Sequence, residues 1–264
     1  MSYVYNPILF TVEFWRRSLL DSLRGTHFFT ATGHMADVLA RAGKAPREQI
    51  RVVGDIFGDL PARGEREEIR ASVRGKLGLG SGDRVVLALS FFVGQDISET
   101  QKRRFLRTVG ASVEGCPGAK LVVKAHPNED RGLLARMLEE EGVRVAHVAH
   151  LESLRDLLLA SDAACMVFSQ AGLEAVMAGV PLIVVQDPGL LEGYEGWVPY
   201  VRDGAAEYVS DAEPFAVRLR AVVTPGEARD RRLEAAARFR EKYITPAGVE
   251  PVPAMAEALR ELSR

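Results

Sequence analysis

Residues 161–186, SDAACMVFSQAGLEAVMAGVPLIVVQ, decide the fold. The run Ala164-Cys165-Met166-Val167-Phe168 is apolar throughout, as a parallel strand covered on both faces requires. It gives way to a small polar turn, Ser169-Gln170-Ala171-Gly172, after which Leu173-Glu174-Ala175-Val176-Met177-Ala178 has helical composition. Gly179 ends that helix, and Pro181 opens a second apolar run, Leu182-Ile183-Val184-Val185. A turn of this kind between a strand and a helix N-terminus leaves backbone N–H groups unpaired. With the helix dipole they favour an anion, most often a phosphate. The same residues also suit a plain compact βα connection, and the segment alone does not separate the two.

The pattern continues on both sides. Strands are predicted at 84–90, 120–125, 143–148, 163–168 and 182–185. Helices are predicted at 99–114, 129–141, 151–160 and 173–178, and near 212–223, 226–243 and 252–263. This alternation predicts right-handed βαβ units on a parallel sheet, an α/β, Rossmann-like fold with flanking helices. Upstream, a strand at 27–30, a helix at 33–42 and a strand at 49–54 read as the remnant of another α/β lobe. An Arg/Glu-rich helix at about 64–76, closed by Gly78 and Gly80, reads as a hinge. The expected division is therefore 1–62, a linker at 63–82, and a main domain at 83–264.

The chain has 264 residues, 47% of them hydrophobic and 27% charged, enough for a sizeable core. A net charge of −2 argues against a nucleic-acid partner. The arginines of 229–242 alternate with acids at helical spacing, which reads as a solvated face. Cys116 and Cys165 suggest no disulfide framework or metal site, and a reducing cytoplasm is expected. No stretch is apolar enough to span a bilayer. The first twenty residues lack a charged leader region, and Glu13, Arg16 and Arg17 interrupt them, so they do not read as a signal peptide. They suit an amphipathic surface helix or a core element.

In a parallel sheet, ligands sit outside the carboxyl ends of the strands. The residues there are Ser90 to Gln95, His126 to Glu129, His147 to His150, Ser169 to Glu174 and Gln186 to Glu195, polar, small and aromatic beyond apolar strand bodies. Lys124-Ala125-His126-Pro127-Asn128, Leu157 to Asp162, Ser169 to Ala175 with Gly179-Val180-Pro181, and Asp203 to Val209 follow one another in order. Together they resemble the nucleotide-sugar-binding C-terminal lobe of GT-B glycosyltransferases. The subgroups they look most like are bacterial surface-polysaccharide transferases, UDP-N-acetylglucosamine 2-epimerases and CDP-glycerol phosphotransferases. His27 to Asp59 resembles the end of that family's N-terminal lobe, most of which has no counterpart in this sequence. Gln170 and Ala171 stand where the epimerases are richer in Ser and Gly.

The resemblance implies a donor site. Ser169, Gln170, Ala171 and Gly172 would hold the diphosphate, although Ser169 also suits a helix cap. Glu174 would accept hydrogen bonds from ribose hydroxyls, or simply complement a helix dipole. Ser90, Gly94 and main-chain atoms at Val148 complete the expected donor contacts. His126, fixed by Pro127, is the catalytic candidate, neutralising or donating to the leaving diphosphate; a surface histidine is its plain alternative. No cofactor or metal is expected.

The leading expectation is the donor-binding portion of a bacterial-type glycosyltransferase for surface polysaccharide, using a UDP- or CDP-linked sugar and inactive by itself. Alternatives are a 2-epimerase, or a non-catalytic module that pairs with a separate N-terminal-lobe protein or with a second copy. In the pairing alternative Phe10, Phe14 and Trp15 would be the docking surface. Peripheral proximity to a membrane fits polysaccharide synthesis.

Overall fold

The computed structural model describes residues 2–4, 27–55, 63–94, 98–167, 171–185, 199–209, 212–245 and 248–262. The chain forms two compact units. The smaller takes Met1–Leu60, Gly196–Pro199 and Ala237–Arg264, and the larger Pro61–Glu195 and Tyr200–Ala236.

The smaller unit holds a parallel three-stranded sheet of β1 (Ser2–Val4), β2 (Phe28–Thr30) and β3 (Ile50–Val52), in that order. Helix α1 (Gly33–Arg41) starts where the Thr32 hydroxyl accepts the Met35 N–H at 3.4 Å. Its Met35 and Leu39 pack with Phe28 and Ile50 in one buried cluster. Of the apolar first twenty residues, only Ser2–Val4 is described, and it is a strand. The proposed docking residues Phe10, Phe14 and Trp15 lie outside the described residues.

The larger unit carries the expected α/β fold. Helix α2 (Arg63–Lys76) leads to β4 (Arg84–Leu89), α3 (Glu99–Glu114), β5 (Ala119–Lys124), α4 (Arg131–Glu140) and β6 (His147–Ala149). Then come α5 (Leu154–Ala160), β7 (Ala163–Met166), α6 (Ala171–Met177), β8 (Leu182–Val185), α7 (Pro199–Arg202) and β9 (Ala206–Val209). Helices α8 (Ala212–Val223), α9 (Glu227–Tyr243) and α10 (Pro251–Leu262) close the chain. All six strands pair in parallel in the order β6-β5-β4-β7-β8-β9. Every residue of β7 and β8 is buried, as their unbroken apolar runs require. The first three strands build outward on one side of β4, and β7 begins the other side, so the order reverses between β4 and β7.

Several elements depart from the sequence reading. The strand expected at 143–148 begins only at His147. Val143 is instead used in packing, where a Cβ on Gly110 of α3 would lie 2.8 Å from its Cγ1. The helix expected from 151 starts at Leu154, because the Ser153 hydroxyl accepts the Asp156 N–H at 3.4 Å. Ala206–Val209 is a sixth strand paired to β8, which four residues with a central Glu and Tyr did not announce.

The division of the chain also differs from 1–62, 63–82 and 83–264. Helix α2, expected as a hinge, belongs to the larger unit. Its arginines cap the carbonyl end of α5: Arg70 donates to the Leu159 and Ser161 carbonyls at 3.2 and 3.0 Å, and Arg74 to that of Ala160 at 2.9 Å. Both also grip Asp162, Arg70 on Oδ1 at 2.5 Å and Arg74 on Oδ2 at 2.7 Å. The Val85 N–H reaches the same Oδ2 at 2.7 Å. At the far end of the chain, α10 lies in the smaller unit, where Ala258 packs with Phe29 and Val53. Gly54, at φ +80°, passes so near that helix that a Cβ would sit 2.9 Å from Pro251 Cγ.

The arginines of α9 are not all solvated either. Arg229 donates to the Asp162 and Val222 carbonyls at 2.7 Å each, and Arg232 pairs with Glu207 on β9.

Asp162 holds two guanidiniums, with the Arg74 side chain 6% exposed. Asp162→Ala is expected to lower unfolding free energy by about 3 kcal/mol in urea titration, as breaking a buried pair does. A loss below about 1 kcal/mol would place the cluster with solvent-screened surface pairs.

Candidate functional site

The strand order reverses between β4 and β7, and in an open α/β sheet the general position for a ligand is outside the carboxyl ends of the strands at such a reversal. Beyond β4 the chain runs through Ser90 and Phe91, both buried, to Phe92 and Val93, which are 44% and 37% exposed. These large apolar side chains are left in water beyond the carboxyl end of β4.

Helix α3 follows from a capping box. The Ser98 hydroxyl accepts the Gln101 N–H, and the Gln101 side chain accepts the Ser98 N–H at 2.8 Å. Fixing that start puts Lys102 on the same stripe as Phe105, Leu106, Val109 and Val113, and its side chain is wholly buried. Its ammonium donates to the Phe91 carbonyl at 2.9 Å and pairs with Glu129. Burial pushes the Lys102 ammonium down to about 8. The Glu129 carboxylate also accepts the Ser90 hydroxyl at 3.0 Å and the His126 N–H at 2.9 Å.

His126 stands beyond β5, partly buried, with its ring 5.0 Å from that of Phe92. Its Nδ1 accepts the Asn128 N–H at 3.1 Å, which assigns the proton of the neutral ring to Nε2. Burial first, and the Lys102 charge second, lower its pKa below the ordinary value. Both favour the neutral ring, whose one N–H is then on Nε2.

A second group lies at the carboxyl ends of β5 and β6. Lys124 donates to the His150 carbonyl at 2.8 Å, and burial, with Arg131 adding to it, lowers its pKa. His147 Nε2 lies 2.7 Å from Glu152. His150 Nδ1 is buried without a hydrogen-bond partner among the described residues. Burial and then the Arg131 charge lower the His150 pKa. Burial alone would raise Glu152, but hydrogen bonds from His147 and from backbone N–H groups prevail and hold it at about 2.

The expected site residues are distributed as follows. Ser90 and His126 meet through Glu129. Gly94 is exposed on the same loop as Phe92, and Val148 lies in β6 at the sheet edge. Ser169 and Gln170 lie outside the described residues. Ala171 and Gly172 open α6, where Gly172 is demanded by packing: a Cβ there would lie 2.7 Å from Met166 Sδ and 3.1 Å from Leu182 Cδ2. Glu174 is exposed by overall area, yet burial around its carboxyl raises its pKa. Asp162, the last residue of the Leu157 to Asp162 stretch, sits at the amino ends of β4 and β7, beside the α2 arginines.

Lys102 and Glu152 escaped the sequence reading, and Glu129 entered it only as the last residue of the polar loop after β5. Lys102 had a usable signal, since it precedes Phe105, Leu106 and Val109 at helical spacing and so falls on the apolar stripe. Among the described residues no cluster of His, Cys, Asp or Glu could hold a metal ion. No helix among them is long and apolar enough to cross a membrane.

No protein-family model matches the chain. No curated protein matches it in sequence. In three dimensions it is similar to the wall teichoic acid polymerase TagF, with TM-score 0.63 and 13% identity over 99% of this chain and 64% of that one. A TagF variant soaked with CDPG gives 0.62 and 13%, over 100% and 65%. A UDP-N-acetylglucosamine 2-epimerase gives 0.56 and 14%, over 95% and 60%. The likeness is one of fold, and that fold is the Rossmann-like GT-B architecture expected from the sequence. The chain spans between 60% and 65% of the length of these proteins.

Glu152 gives this edge of the site a pH signature. Its folded-state value of about 2 lies below the ordinary 4.5, so its stabilisation is complete above 4.5 and is lost as pH falls through 2. In Glu152→Gln, urea midpoints are expected to fall less steeply between those two pH values than in the native chain. Identical slopes would mean that the His147 contact does not persist in solution.

Proposed function

We propose that the larger unit binds a nucleotide-diphosphate sugar outside the carboxyl ends of β4 and β7, as the donor-binding portion of a GT-B-type glycosyltransferase. The observation that carries this reading is the His126 ring just beyond β5, next to β4 in the six-stranded parallel sheet, with its Nδ1 taken by the Asn128 N–H so that the neutral form bears its proton on Nε2. Departure of a nucleoside diphosphate builds negative charge on its oxygens. A preset donor in a partly buried site stabilises that charge without reorganising. Donation from the neutral ring requires no proton uptake.

The turn Ser169-Gln170-Ala171-Gly172 would add main-chain and hydroxyl donors to the diphosphate, and Glu174 would take the ribose hydroxyls. The fold shared with a teichoic acid polymerase, one of whose structures was soaked with CDPG, supports a nucleotide-linked donor. The chain's partial coverage of such proteins fits a portion that does not complete transfer alone. A cytoplasmic place in polysaccharide synthesis, with a separate lobe or a second copy as partner, belongs to the same proposal. The 2-epimerase reading has less support. Gln170 and Ala171 stand where the epimerases are richer in Ser and Gly, and the Glu129 carboxylate is committed to Lys102, Ser90 and the His126 N–H.

Calorimetric titration of UDP, CDP, GDP and ADP tests the proposal. One pyrimidine nucleotide is expected to bind saturably, with about tenfold weaker binding in His126→Ala and in Glu174→Ala, the size of one hydrogen bond. At a hundredfold excess over Kd the nucleotide should stabilise the fold by about 2.7 kcal/mol. Absence of binding by all four, or binding untouched by both substitutions, would remove the donor reading.

A further inference from the structure

We propose that Glu129, anchored by the buried Lys102, is a positioning residue that aims the His126 Nε2–H toward the ligand position outside β4 and β7. The inference rests on the donor reading only in what His126 is aimed at; the aiming itself follows from the turn.

Residues 126–129 form a turn closed on itself. The Glu129 N–H donates to the His126 carbonyl at 2.9 Å, and the Glu129 carboxylate accepts the His126 N–H at 2.9 Å. The Asn128 N–H then faces His126 Nδ1. Pro127 and Asn128 are exposed, so Glu129 is the member of the turn whose side chain is sunk in the protein, 1% exposed. Three donors from three segments converge on that carboxylate: the Ser90 hydroxyl after β4, the Lys102 ammonium from α3, and the His126 N–H. Lys102 in turn holds the Phe91 carbonyl, one residue before the ring that packs on His126.

Stability gives little reason for such a pair. Two buried ions lose their hydration, and well-packed apolar side chains of similar volume commonly do as well or better. What apolar side chains cannot do is accept an N–H and a hydroxyl at fixed directions. The pair fixes the His126 main chain, and through it the Asn128 N–H that keeps the proton on Nε2. Lys102 and Glu129 therefore act on the ligand through His126, without touching it.

The imidazole tautomer reports this directly and needs no ligand. In ¹⁵N-labelled native protein, the His126 signals, assigned by their loss in His126→Ala, should show the Nε2–H form. In folded Glu129→Ala they should become a mixture of tautomers, and Glu129→Gln, which keeps an oxygen for the His126 N–H, should restore the native form at least in part. Nucleotide affinity should fall about tenfold in Glu129→Ala, and the His126→Ala/Glu129→Ala pair should bind no more weakly than His126→Ala alone. Where Glu129→Ala does not fold, Lys102→Met/Glu129→Leu removes both buried charges and the acceptor for the His126 N–H while keeping the site filled, and a mixture of tautomers and weaker binding with the same non-additivity are expected.

An unchanged tautomer in a folded Glu129→Ala chain, or losses that simply add, would overturn the proposal. If the native chain binds no nucleotide the donor reading fails, and the tautomer still decides whether Glu129 positions the ring.

Discussion

The Lys102–Glu129 ion pair is the contact on which the carboxyl edge of the sheet depends. It joins the segment leaving β4, the first turn of α3 and the turn leaving β5, which are distant in sequence. Each segment on its own has polar main-chain atoms that burial would leave unpaired. The carboxylate and the ammonium satisfy them together, so neither ion is affordable without the other.

The amino edge of the sheet is held by charges used differently. There Asp162 receives Arg70, Arg74 and the Val85 N–H, while the same arginines close the carbonyl end of α5. Guanidinium suits this task, because its planar fork can meet a carboxylate and several carbonyls at once. An ammonium suits the other edge, where one compact charge must reach a carboxylate and a carbonyl inside an apolar stripe. One edge is tied down by guanidinium forks, and the other holds a histidine beyond β5.

The charge state of that edge follows from its surroundings. Burial and Lys102 lower the pKa of His126, and burial and Arg131 lower that of His150, so both are biased toward the neutral ring. Glu152 remains ionised because His147 and backbone N–H groups bind its charged form.

Much of the larger unit was legible in the chain itself. Apolar runs such as Ala164–Val167 and Leu182–Val185 have no polar face to turn to water, so they could only be inner strands of a parallel sheet. The Ser98–Gln101 box and the caps at Ser153 and Asp130 also act within four residues, yet the sequence reading named none of them and began one of these helices at 151. His126 was also visible, because a histidine followed by proline at a strand end stands out locally. The tertiary structure alone decided the rest. Whether Lys102 meets water or Glu129, whether Arg70 and Arg74 line a hinge or grip Asp162, and whether Ala206–Val209 joins the sheet all depend on residues far along the chain. Local sequence governs backbone choices over a few residues; the pairing of charges and the placing of an edge strand are settled only when distant segments are brought together and water is removed between them.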